Sequence, residues 1–220
     1  MKWRVDLALF LPTVALFLIW PDLDLYISDK LWTPQQGFFL RDQAWVRLTY
    51  DLFGYLPRLL AVFLLTGWLY TFLSERWQSR RPMLAFLLFS LILGPGLLVN
   101  EVLKGQYGRA RPHQVEAFGG ERTYTPPTRP ARECERNCSF VSGHAAGAFW
   151  LMAAGWVAGK HRWLLPGLAL GLFVGLVRMI QGGHFFSDVL FAGWAVWFTL
   201  RLSARYWLGR WSVRPDVPDA

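Results

Sequence analysis

The chain reads as an all-α integral membrane protein, a helical bundle with about six transmembrane helices. Three observations predict this. Of its 220 residues 54% are hydrophobic and 13 are Trp, more than a soluble domain of this size usually carries. The apolar residues gather into runs close to the roughly 20 residues that a bilayer-spanning helix needs. The basic residues between those runs fall where six spans would place them on one side.

Six runs approach a span: 5–20, 55–73, 82–103, 144–160, 163–181 and 187–203. The first follows Lys2 and Arg4 and resembles a signal peptide. Asp6 interrupts its start and no small-x-small site precedes Pro21, so it is read as a retained helix. The second and third flank Arg76, Arg80 and Arg81. The fourth and fifth flank Lys160 and Arg162, and Arg201, Arg205, Arg210 and Arg214 follow the sixth. Pro12, Pro57, Pro95 and Pro166 lie in or at the ends of runs, which a membrane bundle tolerates. The positive-inside rule makes the basic side cytoplasmic, so the net charge of +8 needs no nucleic acid to explain it. Trp68, Trp77, Trp163 and Trp207 suit interfacial anchoring. Residues 1–220 form one domain without a linker, and "SVRPDVPDA" reads as a short disordered end.

Three loops then face outward: 21–54, 104–143 and 179–186. The first mixes aromatic and acidic residues and suggests an interfacial hairpin, either a plain connection or a substrate contact. The second opens with "KGQYGRARP", Lys104 to Pro112. Guanidinium groups grip phosphate as a fork and ammonium as a point charge. Lys104, Arg109 and Arg111 are therefore phosphate-binding candidates, or else a basic flank. "CSFVSGHAAGAFW" places Ser142, Gly143 and His144 where a loop becomes a helix. Ser142 alone reads as an N-cap, yet a helix start also offers amides to an anion. "VRMIQGGHFFSD" carries Arg178, His184 and Asp188. His184 and Asp188 are four residues apart, so they share a face if the sixth helix begins there. A carboxylate on one imidazole nitrogen makes the other a better nucleophile or base. Alternatively, the pair only stabilises a helix start.

Taken together, Lys104, six residues, Arg111-Pro112, then Ser142-Gly143-His144, then Arg178, five residues, His184, three residues and Asp188 resemble the tripartite signature of the type 2 phosphatidic acid phosphatase family. The family also includes, more distantly, acid phosphatases and vanadium haloperoxidases. The resemblance implies that His184 attacks phosphorus and forms a phosphohistidine, oriented by Asp188. It implies that His144 protonates the leaving oxygen and then activates water. Lys104, Arg111, Arg178, Ser142 and the Gly143 amide would hold the phosphoryl oxygens. The chain departs from the family at Val141, usually Pro, and at Val177, usually Ser.

Several further expectations follow. No dense set of acidic, Cys or His ligands is evident, so no metal and no cofactor are expected, three fixed cations taking a metal's place. Cys134 and Cys138 are too sparse for a zinc site; they are either a disulfide, which an outward-facing loop permits, or two free thiols. His113 lies past the first motif, a solvated residue or a headgroup contact, and His161 falls on the cytoplasmic side. The expected partner is a phosphorylated lipid in a bacterial-type inner membrane, met from the periplasmic face. Candidate substrates are lipid A phosphates, undecaprenyl pyrophosphate and phosphatidylglycerol phosphate; the long second loop favours a large headgroup of the lipid A type. A phosphotransferase using the same phosphohistidine, and a transporter or scaffold with a structural polar cluster, are the alternatives.

Overall fold

The structure, a computed structural model, describes residues 3–214. Lys2 and the last six residues of the tail lie outside them. The described chain is helical, and its only ladder-like contacts are isolated bridges at Thr33–Gly37 and Val115–Arg122. In order come α1 (Trp3–Ile19), α2 (Leu23–Asp29), α3 (Ala44–Leu73) and α4 (Arg81–Leu91), which continues as a π-helical stretch (Ile92–Leu103) into α5 (Lys104–Gln106). After a long loop follow α6 (Gly143–Phe149), α7 (Ala154–Ala158), α8 (Leu164–Ile180) and α9 (Phe186–Leu208).

Among the described residues, three helices are long and apolar enough to cross a membrane: Ala44–Leu73, Glu75–Gln106 and His161–Ile180. A fourth is counted if α1 and α2, bent by 80°, make one span. Leu9, Leu18, Leu59, Phe63 and Leu165 are exposed on these helices. So much outward apolar surface is what lipid contact requires and a soluble monomer avoids. The α6–α7 run is too short for the same criterion, and α9 is long enough but less apolar. They are the inner elements, with Ala145, Ala146, Ala148, Val189, Ala192 and Val196 buried against protein, and a helix wrapped by its neighbours needs no lipophilic surface.

Small residues let these elements close up, as membrane helices prefer. A side chain at Gly147 would bring a Cβ within 2.7 Å of the Pro57 ring, so α3 and α6 meet there almost backbone to ring. The "GPG" at Gly94–Gly96 lies at the start of the π-helical stretch. Proline removes a backbone donor there, consistent with the altered helix geometry. The Asn100 amide donates to the Pro95 carbonyl at 2.7 Å.

Some expectations need correcting. α3 starts at Ala44 rather than near residue 55, because its first turns, with Arg47, Tyr50 and Asp51, extend beyond the apolar stretch. The first loop is no hairpin: it holds α2, whose Asp24 is fully buried. Arg201 is not an interfacial charge either. It is buried in α9 and pairs with Asp6 of α1, which also accepts from Trp197 Nε1 at 3.1 Å. Trp68 and Trp207 pack against Phe89 with ring centroids 5.5 and 5.0 Å away, which ties α3 and α9 to α4. Above the bundle, Phe38, Ala110, Val115, Phe118 and Phe185 form a second small core. That cap ties the first and second loops to the start of α9.

Candidate active site

Asp188 sits one turn into α9, where its carboxylate accepts from the Phe185 amide at 2.8 Å and closes the helix start. It is fully buried, and three further groups converge on it. Arg109 Nη1 donates at 2.7 Å, the Ser139 hydroxyl donates to Oδ2, and His184 Nδ1 lies 3.5 Å from Oδ2. That last distance exceeds a normal hydrogen bond, and Nδ1 has no other partner. Orientation of the ring therefore comes as much from its burial as from a formed bond.

Arg109 is the hub behind this pair. Nη2 donates to Asp24 at 2.8 Å, Nη1 also donates to Ser187 Oγ at 2.8 Å, and Nε donates to the Thr125 carbonyl at 2.8 Å. The guanidinium lies 4.3 Å from the Phe185 ring centroid, in cation–π range. Burial works against its charge, but Asp188 and Asp24 outweigh that and hold its pKa above the ordinary value. Asp24 in turn accepts from the Ser187 amide at 2.8 Å and from the Ser187 hydroxyl. Arg109 is thus spent on the carboxylates behind His184, and the basic pair in "GRARP" divides between two tasks.

Arg111 turns the other way. Its Nε and Nη2 donate to the Asn137 carbonyl at 3.2 and 2.7 Å, and Lys104 Nζ donates to Asn137 Oδ1 at 3.4 Å. Asn137 has a left-handed φ of 51° and lies between Cys134 and Cys138, whose sulfurs are bonded with the Cα atoms 5.6 Å apart. Arg178, at the end of α8, donates to the Gln181 amide oxygen and stands 4.6 Å over the Tyr50 ring. None of these three cations has a carboxylate within ion-pair distance among the described residues.

Ser142 caps α6, accepting from the Ala145 amide at 3.5 Å, while its own amide donates to the Asp188 carbonyl at 3.1 Å. The starts of α6 and α9 are thereby joined. Gly143 lets Asn100 and Lys104 come close: a Cβ there would lie 2.5 Å from Asn100 Oδ1 and 3.1 Å from Lys104 Nζ, so both side chains would have to move. His144 stacks on Tyr50 at 4.6 Å, so Tyr50 touches both His144 and Arg178. Burial pushes His184 down to about 3, against the opposing pull of Asp188. Its imidazole is accordingly neutral near pH 7, the form a nucleophile needs.

A cavity of about 730 Å³ opens from His144, Gly143 and Lys104 along α3 and the π-helical stretch, reaching Ala61, Ile92 and Leu97. Apolar Ala61, Leu91, Ile92 and Leu97 line it together with the charged Asp51, Arg58 and Glu101. All eight expected catalytic and phosphate-holding residues belong to this one neighbourhood, linked through Asn137, Tyr50 and the α6–α9 junction. Val177 packs with Val46 and Ile180 in a separate apolar cluster, so its missing hydroxyl is buried away from charge. Val141 is likewise buried. His113 is held by Gly182, whose carbonyl accepts from its backbone N at 3.1 Å and lies 2.8 Å from Nδ1. Asp24, Ser139, Tyr50, Asn100 and Asn137 were not anticipated. Asp24, Ser139 and Asn137 act on partners far away in the chain, and only the helical reading of 44–54 would have given Tyr50 a face. No three His, Cys, Asp or Glu side chains among the described residues are grouped to hold a metal ion.

Comparison with known proteins yields a consistent set. The family described as PAP2 superfamily matches residues 83–212. A lipid A 4'-phosphatase of Francisella tularensis subsp. novicida (strain U112) is 33% identical over 183 residues, 80% of this chain and 82% of that protein. A lipid A 4'-phosphatase of Rhizobium leguminosarum is 32% identical over 203 residues, 82% of this chain and 85% of that protein. A lipid A 1-phosphatase of Rhizobium etli is 33% identical over 124 residues, 54% of this chain and 50% of that protein. No solved structure gives a significant match.

Proposed function

We propose that this chain, which belongs to the PAP2 superfamily and is a membrane lipid phosphatase, removes the 4'-phosphate of a lipid A-type glycolipid. The substrate is taken from its relatives, two of which carry that name and align over most of their length. The chemistry is taken from the site. The observation that carries it is His184, buried and neutral, backed by Asp188 and neighboured by three cations that lack acidic partners.

In the proposed reaction, His184 Nε2 attacks phosphorus in line with the sugar oxygen. The P–O bond breaks as the P–N bond forms, and His144, which takes up a proton when the anionic phosphate binds between it and the cations, gives that proton to the departing oxygen. Water then attacks the phosphohistidine while His144 takes its proton, releasing phosphate and restoring neutral His184. Lys104, Arg111 and Arg178 hold the non-bridging oxygens, where charge develops, with the Ser142 hydroxyl and the Gly143 amide beside them. Asp188 favours the cationic imidazole of the intermediate. The 730 Å³ cavity receives the lipid, headgroup at the cation end and chains toward Ala61 and Ile92.

The same reading makes the bundle one six-span domain, with α6–α7 and α9 as the inner spans and the site on the periplasmic side of the inner membrane. Its support is the placement of Arg76, Arg80, Arg81, Lys160 and Arg162 at the opposite helix ends. The test is phosphate release by purified protein from lipid A, undecaprenyl pyrophosphate and phosphatidylglycerol phosphate, with a chelator present. Loss of the 4'-phosphate by mass spectrometry, persisting in chelator, is expected. A preference for either other lipid overturns the substrate, and abolition by chelator with rescue by one divalent ion overturns the metal-free chemistry.

A further inference from the structure

A second, smaller cavity of about 220 Å³ lies beside the first. Arg111 and Arg178 form part of its wall, and Arg41, Arg47, Asp42 and His113 also line it. It therefore holds four guanidinium groups and one carboxylate. Asp42 pairs with Arg47 at 2.8 Å, and both side chains are well exposed on the rim. An exposed pair of this kind is weak and leaves the excess positive charge in place. Arg41 makes no side-chain hydrogen bond or ion pair within the described residues. It stands near enough to His113 that its charge, after burial, helps hold that imidazole's pKa down. His113 is fixed on Gly182, so one wall of the cavity is rigid.

Scissile phosphate alone does not account for this arrangement. Lys104, Arg111 and Arg178 already supply the charge that one phosphoryl group needs, and Arg41 and Arg47 come from a different loop, ahead of and within the start of α3. Cations gathered in a concave site without matching acids raise the local concentration of anions. The cavity shares two of its guanidinium groups with the reaction site, so its occupant belongs to the same molecule as the scissile phosphate or lies directly beside it.

We propose that this cavity is a second anion subsite, in which Arg41 and Arg47 bind another oxyanion carried by the substrate's headgroup, a second phosphate or a sugar carboxylate. The proposal rests on the lipid phosphatase reading above and deepens it, making the preferred substrate a multiply anionic headgroup. Arg41 is its diagnostic residue, because it is outside the phosphate-holding set and has no internal partner to lose.

Three lipids test it in kinetic form: a monophosphoryl glycolipid, a lipid diphosphate, and a monophosphoryl glycolipid bearing an acidic sugar. Arg41→Gln is expected to lower kcat/KM about tenfold more for a doubly anionic lipid than for the first, through KM, as loss of a charge-assisted hydrogen bond implies. Which of the two doubly anionic lipids shows the loss identifies the source of the second anion. Arg41→Lys should restore part of it. An equal loss on all three, or none on any, overturns the subsite.

A binding arm needs no turnover. Calorimetry with inorganic pyrophosphate and with orthophosphate on the purified protein should show tighter binding of pyrophosphate, a preference that Arg41→Gln removes. If wild-type protein hydrolyses none of the lipids yet shows this preference, the function is wrong and the subsite stands. Equal affinity for the two ions, unchanged in Arg41→Gln, overturns the subsite whatever the activity.

Discussion

The two sides of His184 satisfy their charges in opposite ways. Behind the ring, Arg109, Asp188, Asp24, Ser139 and Ser187 are all buried, and each strong group has a partner of suitable chemistry. In front, Lys104, Arg111 and Arg178 lean on neutral groups, amide and carbonyl oxygens and, for Arg178, the Tyr50 ring. A closed network holds shape and offers no free cation to a ligand, since its one guanidinium is matched by two carboxylates. An open set of cations held by neutral groups is positioned yet still electrostatically hungry for an anion. Arg109 and Arg111 stand two residues apart and fall on opposite sides of this divide, so residue type alone does not tell a phosphate ligand from a buttress.

The largest expected effect is on the boundary itself. His184→Ala should reduce turnover about 10⁴-fold or more and abolish any labelled phosphoenzyme, as loss of a nucleophile does. His144→Ala should keep an acid-labile, base-stable label when the leaving group is good, because that substrate needs little protonation. Label surviving in His184→Ala would assign the nucleophile elsewhere.

The comparison is sharpest between one residue from each side. Arg111→Gln should lower kcat/KM by about 10²- to 10³-fold, the usual cost of one oxyanion contact, while the melting temperature in detergent stays nearly constant. Asp24→Asn touches no substrate, yet it strips a carboxylate from a buried guanidinium. Removing one member of such a pair typically costs about 3–5 kcal/mol of stability, seen as a lower melting temperature. If Arg111→Gln destabilises the fold and Asp24→Asn does not, front and back have been assigned the wrong way round.

Acid should weaken the fold through the buried ring. His184 is held down to about 3 in the folded protein, against roughly 6.5 in an unfolded chain. Between those values the unfolded state binds a proton that the native state refuses, so stability falls as pH falls through this window and is flat above it. Thermal unfolding from pH 7.5 to 4.5 should show this decline, and His184→Gln should flatten part of it. The smallest effect concerns Asn137, which sits inside the Cys134–Cys138 ring and carries both Lys104 and Arg111. Reduction should raise KM only about threefold, because both cations remain; no change under a reductant that demonstrably opens the bond would show Asn137 to be held by other means.

Legibility in the sequence followed the solvent. Helices that face lipid must be apolar, so α1, the second half of α3, the α4–π stretch and α8 stand out as hydrophobic runs. α9 carries Asp188 and Arg201 because its neighbours, not lipid, surround it, and its run is weaker. The motif residues of the site were legible because their spacing is local: Ser142 to His144 is one helix start, and His184 to Asp188 one turn. Asp24, Ser139 and Asn137 were not. Each acts on a group dozens of residues away, and no periodicity marks an acid or an amide for a partner so distant. Tyr50 was hidden for a different reason, since polar residues in the first turns of α3 disguised a helix as a loop.

The Arg109 hub also bears on how the protein is made. Its two carboxylate partners lie 85 residues before it and 79 after it in the chain. During synthesis Asp24 and Arg109 emerge well before α9, and until that last helix is inserted Asp188 is missing from the cluster. The nucleophile and its support arrive together on the final segment. A chain stopped before α9 therefore has no partial activity to leak: its Arg109–Asp24 pair is already matched in charge, but lacks the second carboxylate that joins it to the catalytic ring.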